Sequence, residues 1–84
     1  MKSINIKDYN PSLGKLIDVR PKYEYINKHH LNSTNIPYNE LIFNHKKYLN
    51  KNNTYYLVCG SGILSKKATN ILSLYGYNVV NVLK

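Results

Sequence analysis

Between Thr54 and Leu83 the chain carries a strand, a glycine-bearing loop, a helix and a second strand, and no other stretch restricts the possible folds so strongly. Thr54-Tyr55-Tyr56-Leu57-Val58-Cys59 is rich in β-branched and aromatic residues and stops at Gly60. After Gly60-Ser61-Gly62, Ser65 is placed to cap a helix over Lys66 to Tyr75, whose apolar side carries Ala68, Ile71, Leu72 and Tyr75. Gly76 supplies the stop, as a glycine just past the last turn. Asn78-Val79-Val80-Asn81-Val82-Leu83 then has the continuous apolar character of a strand covered on both faces.

The first half repeats the alternation less strongly. Lys15-Leu16-Ile17-Asp18-Val19 is a short strand ending at Arg20-Pro21, where proline suits the start of a helix over Lys22 to Asn27. Asn35-Ile36-Pro37 reads as extended chain, because the residue before proline is pushed away from helical geometry. Tyr38 to Tyr48 follows as one helix with Lys46-Lys47 near its end, and Asn50 to Asn53 marks an exposed turn. Strands alternating with helices predict an α/β fold, a mainly parallel sheet flanked by helices.

Eighty-four residues leave space for one domain, residues 1–84. No apolar run approaches the roughly 20 residues that span a bilayer, so no membrane partner is expected. Met1-Lys2-Ser3-Ile4-Asn5 has none of the apolar character of a secretory signal, and the single Cys59 excludes a disulfide scaffold. A reducing, cytoplasmic setting follows as an expectation. The formal charge of +8 invites a nucleic-acid partner, but only Lys46-Lys47 and Lys66-Lys67 are adjacent pairs. Scattered lysines among Asn, Tyr and Ile fit AT-rich codon usage instead, and no nucleic acid is expected.

Cys59 is the residue with chemistry to explain. It closes the central strand, and in open α/β sheets ligands bind beyond that edge. A loop with two glycines can turn backbone N–H groups inward, and the helix beyond adds partial positive charge, so a thiolate there is stabilised and the cysteine is expected to be partly exposed. The alternative is a small buried hydrophobe. A structural cysteine needs neither glycine.

Taken together, Leu16-Ile17-Asp18-Val19-Arg20, Glu24-Tyr25, His29, Asn35-Ile36-Pro37-Tyr38, Tyr56-Leu57-Val58-Cys59, Gly62, Ser65 and Gly76-Tyr77-Asn78-Val79-Val80 give the chain a resemblance to the rhodanese-like (sulfurtransferase) domain family over Leu16 to Leu83. The resemblance implies a small α/β domain with Cys59 as nucleophile in a loop running Cys59-Gly60-Ser61-Gly62-Ile63-Leu64. That loop and Ser65 would cradle the anion or persulfide. The thiolate would attack the outer sulfur of a small donor and pass it from a cysteine persulfide to a thiol acceptor, small or protein-borne, in a monomer or weak dimer. No cofactor and no metal are implied. His29, His30 and His45 have no ligand spacing with Cys59.

Departures from the family lie at the loop and the ends. Family loops commonly carry arginine after the cysteine and at the loop's end; here Gly60 and Leu64 stand there, removing the forks that bind a sulfonate bidentately. The first helix shrinks to Lys7 through Leu13, and the family's C-terminal segment is lacking beyond Lys84. A catalytically weak or inactive binding or regulatory module is therefore the alternative function. A phosphatase would need arginine six residues after the cysteine, where Ser65 stands. Asp18, Arg20 and Glu24 read as a structural network tying strand end to helix start, with Arg20 and Glu24 paired at i,i+4.

Overall fold

Parallel strands dominate the computed structural model, which describes residues 1–84. The strands are β1 (Ser3–Asn5), β2 (Lys15–Asp18), β3 (Ser33–Asn35), β4 (Thr54–Val58) and β5 (Asn78–Leu83), and the helices are α1 (Lys22–Asn27), α2 (Tyr38–Phe43), α3 (His45–Tyr48) and α4 (Ile63–Leu74). All five strands form one sheet in the order β1-β5-β4-β2-β3, every neighbouring pair parallel. β4 is central, as its apolar sequence requires.

From β2 the chain moves outward to β3, whereas from β4 it moves the opposite way to β5. Right-handed crossovers that run in opposite directions place their helices on opposite faces. The loops after β2 and β4 therefore part company between adjacent strands, the switch point at which open α/β sheets hold ligands. One face packs Ile17, Leu57 and Val79 against Leu41, Ala68 and Leu72 of α2 and α4. Leu16, Tyr56, Val58, Val80 and Val82 form the other core, covered by Ile4, Ile6 and Tyr9.

Four features differ from the sequence expectations. Lys7 to Leu13 is not a helix: a single 3₁₀ turn over Ile6–Asp8 is followed by a turn in which Asn10 Oδ1 accepts the Ser12 N–H at 2.9 Å. The helix expected over Tyr38 to Tyr48 breaks at Asn44, whose φ of −122° leaves helical geometry and whose side-chain amide bonds the Glu40 carbonyl. β1 and β3 are short edge strands held by tertiary pairing. α4 starts at Ile63 rather than Lys66, because Gly62 takes φ +89° and turns the chain into the helix before Ser65 is reached. Ser65 is thus in the first turn and caps nothing. At its other end α4 closes as expected, with Gly76 at φ +94° and the Tyr77 and Gly76 amides bonding the Leu72 and Ser73 carbonyls.

Asn81 Oδ1, in β5 beside Leu57, is the one buried side-chain oxygen or nitrogen with no hydrogen-bond partner in the protein. Leaving such an acceptor unpaired costs about 1–3 kcal/mol. Asn81→Val should raise stability by about 1 kcal/mol, a gain of roughly 4–8 °C in Tm for a domain of this size. Thermal unfolding with an unchanged or lower Tm would show that the carbonyl is satisfied.

Candidate active site

Cys59 follows β4 directly, and the Val58 carbonyl still accepts the Val19 N–H at 3.0 Å, so the thiol starts from a fixed strand end. Its Sγ accepts the amide N–H of Gly62 at 3.1 Å and of Ser65 at 3.3 Å. The thiol proton points to Ser65 Oγ at 3.4 Å, and that hydroxyl in turn reaches the Gly62 carbonyl at 3.3 Å. Thr69 Oγ1 donates to the Ser65 carbonyl at 2.7 Å, fixing the first turn of α4 from below.

The sequence led us to expect a partly exposed thiol, and the structure corrects this: Cys59 is 3% exposed and Ser65 fully buried. The earlier start of α4 wraps its first turn around the sulfur. What remains open is a cavity of about 150 Å³ lined by Cys59, Gly60, Ser61, Gly62, Val82 and Lys84. The Gly60 and Ser61 amides donate to no protein acceptor, while the Ile63 amide is taken by Ser61 Oγ at 3.3 Å.

The six loop positions are not equivalent. Gly60 and Ser61 are exposed at the cavity, and Ile63 projects from the apex, 70% exposed. Leu64 turns the other way and packs against the core alongside Tyr38. Its side chain belongs to the scaffold and not to the cradle, because the second residue of α4 falls on the helix face that meets α2.

Asp18 and Arg20 meet as a mostly buried ion pair, the Asp18 side chain 3% and the Arg20 side chain 14% exposed. The Asp18 carboxylate accepts the Arg20 backbone N–H at 2.9 Å, Nε at 3.0–3.1 Å and Nη2 at 2.8 Å, and Nη2 also donates to the Lys28 carbonyl. The hydrogen bond to Asp18 leads the causes that raise the guanidinium above its ordinary value, with the charges of Glu24 and Cys59 adding to it. Glu24 makes no ion pair with Arg20, contrary to the i,i+4 expectation, because the guanidinium is already turned back on Asp18. Sequence reasoning missed that Arg20 borders the loop: a Cβ added at Gly60 would sit 3.9 Å from Arg20 Cδ. That neighbourhood depends on the β2–β4 register, which pairs Asp18 with Val58.

A parallel five-stranded sheet with a loop-wrapped cysteine at the tip of its central strand defines an α/β thiol site. The family model of the Rhodanese-like domain matches residues 3–84, and the chain belongs to that family. Its structure is similar to that of a rhodanese-related protein from Thermoplasma volcanium, with a TM-score of 0.87 and 35% identity over 99% of this chain and 84% of that one. A Staphylococcus saprophyticus protein aligns at a TM-score of 0.83 and 33% identity, covering 99% of this chain and 87% of the other. For a rhodanese-like domain protein from Staphylococcus aureus the values are 0.84 and 31%, over 99% and 85% of the two chains. No curated protein matches the sequence. No helix is long and apolar enough to cross a membrane.

Proposed function

We propose that this rhodanese-like domain is a sulfurtransferase that carries sulfur as a persulfide on Cys59. The observation that supports the reading best is the pair of backbone N–H groups, from Gly62 and Ser65, that both point at Sγ. Such donors favour a charged sulfur over a neutral one, and the N-terminus of the twelve-residue α4 adds its dipole in the same sense. A buried hydrophobic cysteine needs none of this.

In the first step the Cys59 thiolate attacks the outer sulfur of a persulfide, polysulfide or thiosulfate donor. The new S–S bond forms as the donor's own S–S bond breaks, and the electron pair leaves with the departing thiolate or sulfite. The product is Cys59 persulfide, with no net oxidation. In the second step an acceptor thiolate attacks that outer sulfur, and Cys59 leaves as the thiolate. A water occupies roughly 30 Å³ of liquid, so the cavity of about 150 Å³ beside Cys59 has space for one added sulfur and part of an acceptor.

Intact mass after incubation with polysulfide tests the proposal. We expect a gain of one sulfur on Cys59, its loss on adding excess thiol, and no gain in Cys59→Ser. A wild-type protein that never gains sulfur would instead make the domain a binding module.

A further inference from the structure

The switch point between β2 and β4 opens on two sides, and sulfur chemistry accounts for only one. On the face opposite α4 lies a cavity of about 460 Å³, bordered by Arg20, Lys28, His29, His30 and Lys84 around the buried Asp18. Arg20, Lys28 and Lys84 bring three cationic side chains to it. Its one side-chain carboxylate is consumed by Arg20, and that pair is the only salt bridge in the protein, so Lys28 has no acidic partner.

Donors converge there from separate parts of the chain. Arg20 spends Nε and Nη2 on Asp18 and the Lys28 carbonyl, and its Nη1 donates to no protein group. His30 Nδ1 accepts the Asn32 N–H at 3.2 Å, so the neutral ring carries its proton on Nε2, as a donor. His29 is held by stacking on Tyr25, ring centroids 3.8 Å apart, and by its Nδ1 on the Tyr25 carbonyl. An ammonium, a guanidinium edge and an imidazole N–H are the donor set that recognises a carboxylate or phosphate.

The cavity adjoins the thiol. Lys84 borders both cavities, Val58, which lines this one, precedes Cys59, and Arg20, which also lines it, comes near Gly60, which lines the other. A compact donor such as thiosulfate cannot use both, because its sulfonate is bonded directly to the reacting sulfur. A molecule whose oxyanion lies several bonds from its sulfur can.

We propose that this cavity binds the carboxylate or phosphate of a small organic thiol whose sulfur reacts at Cys59, as acceptor or, in its persulfide form, as donor. The choice of a thiol rests on the sulfur-transfer reading; the anion site itself does not.

Two measurements separate the two. In Cys59→Ser protein, propionate and inorganic phosphate are titrated while backbone amide shifts are followed. We expect saturable shifts at Lys28, His29 and His30, the tighter of the two anions identifying the group, and at least about tenfold weaker binding in Lys28→Glu. Lys28 is exposed and Arg20 uses only its carbonyl, so the substitution leaves the ion pair in place. No saturable shift with either anion, or an identical response in Lys28→Glu, would overturn the site. With wild-type protein loaded as the persulfide, discharge by glutathione is compared with discharge by its diethyl ester at equal thiolate concentration. Glutathione should be faster by about tenfold, with the ratio collapsing in Lys28→Glu and restored by Lys28→Arg. Equal rates for the acid and its ester would overturn the thiol assignment. If Cys59 never loads, sulfur transfer fails, and amide shifts with glutathione against its ester decide the ligand.

Discussion

Asp18→Asn lowers stability by about 3–5 kcal/mol, the cost of breaking a buried ion pair on one side. The carboxylate is 2% exposed and accepts every polar hydrogen that Arg20 directs at it. With asparagine there, the guanidinium keeps its charge, because arginine stays protonated at any ordinary pH, and it loses the bond to Asp18 that leads the causes raising its pKa in the fold. A basic group raised in the fold gives stability below its unfolded value that is lost only as pH climbs past it, so around neutral pH the contribution of Arg20 is flat. At roughly 4–8 °C per kcal/mol, the Tm falls far enough to be unmistakable in a melting curve. Alkylation of Cys59 in the folded fraction stays nearly constant, since the Asp18 carboxylate bonds only Arg20. Arg20→Ala differs, because Arg20 also borders Gly60 and its charge interacts with Cys59. An Asp18→Asn protein that melts normally but transfers sulfur a hundredfold more slowly would make the carboxylate part of the reaction.

Gly60→Arg improves thiosulfate as a donor. Thiosulfate carries two negative charges, and beside Cys59 it meets only the unpaired amides of Gly60 and Ser61, the Ser61 hydroxyl and Lys84. One charge-assisted hydrogen bond is worth about 1.5–3 kcal/mol, so the Michaelis constant should drop at least about tenfold. Sterically the site is ready. Gly60 is exposed, its φ lies outside the left-handed region, and an added Cβ meets only Arg20 Cδ, at ordinary contact distance. Leu64→Arg is not an equivalent route, because it removes an apolar side chain from the α2–α4 contact and costs stability. Steady-state kinetics with thiosulfate and with polysulfide decide the matter: the gain should be confined to thiosulfate. An unchanged constant would mean that the loop amides already hold the anion.

The unit from Thr54 to Leu83 was legible because each boundary has a chemical cause in the sequence: β-branched and aromatic runs for the strands, Gly76 for the helix stop. α1 was legible for the same reason, with Pro21 before it. β1 and β3 were not, since three polar-flanked residues at a sheet edge become strands only when β5 and β2 lie beside them. Ser65 drew attention as a cap by its residue type, yet Gly62, able to take a left-handed turn, took that place. The Cys59 loop could be identified from its residues, but the burial of the sulfur depended on where α4 begins. The approach of Arg20 to Gly60 depended on the β2–β4 register, which is settled only when the buried faces of two strands distant in the chain meet.

The strand order also bears on how the chain reaches this state in time. β1 pairs only with β5, Ser3 opposite Asn81, so nearly the whole sequence lies between the two members of that ladder. Closing so long a loop carries an entropic cost before any contact offsets it, and non-local parallel pairing is slow. During synthesis the N-terminal segment emerges first and waits for the last strand. Until β1 docks, the outer edge of β5 is an unpaired row of amides and carbonyls, open to a neighbouring chain. The sealing of β1 onto β5 should therefore be a late event in refolding, and the interval before it the period when the molecule is most prone to aggregate.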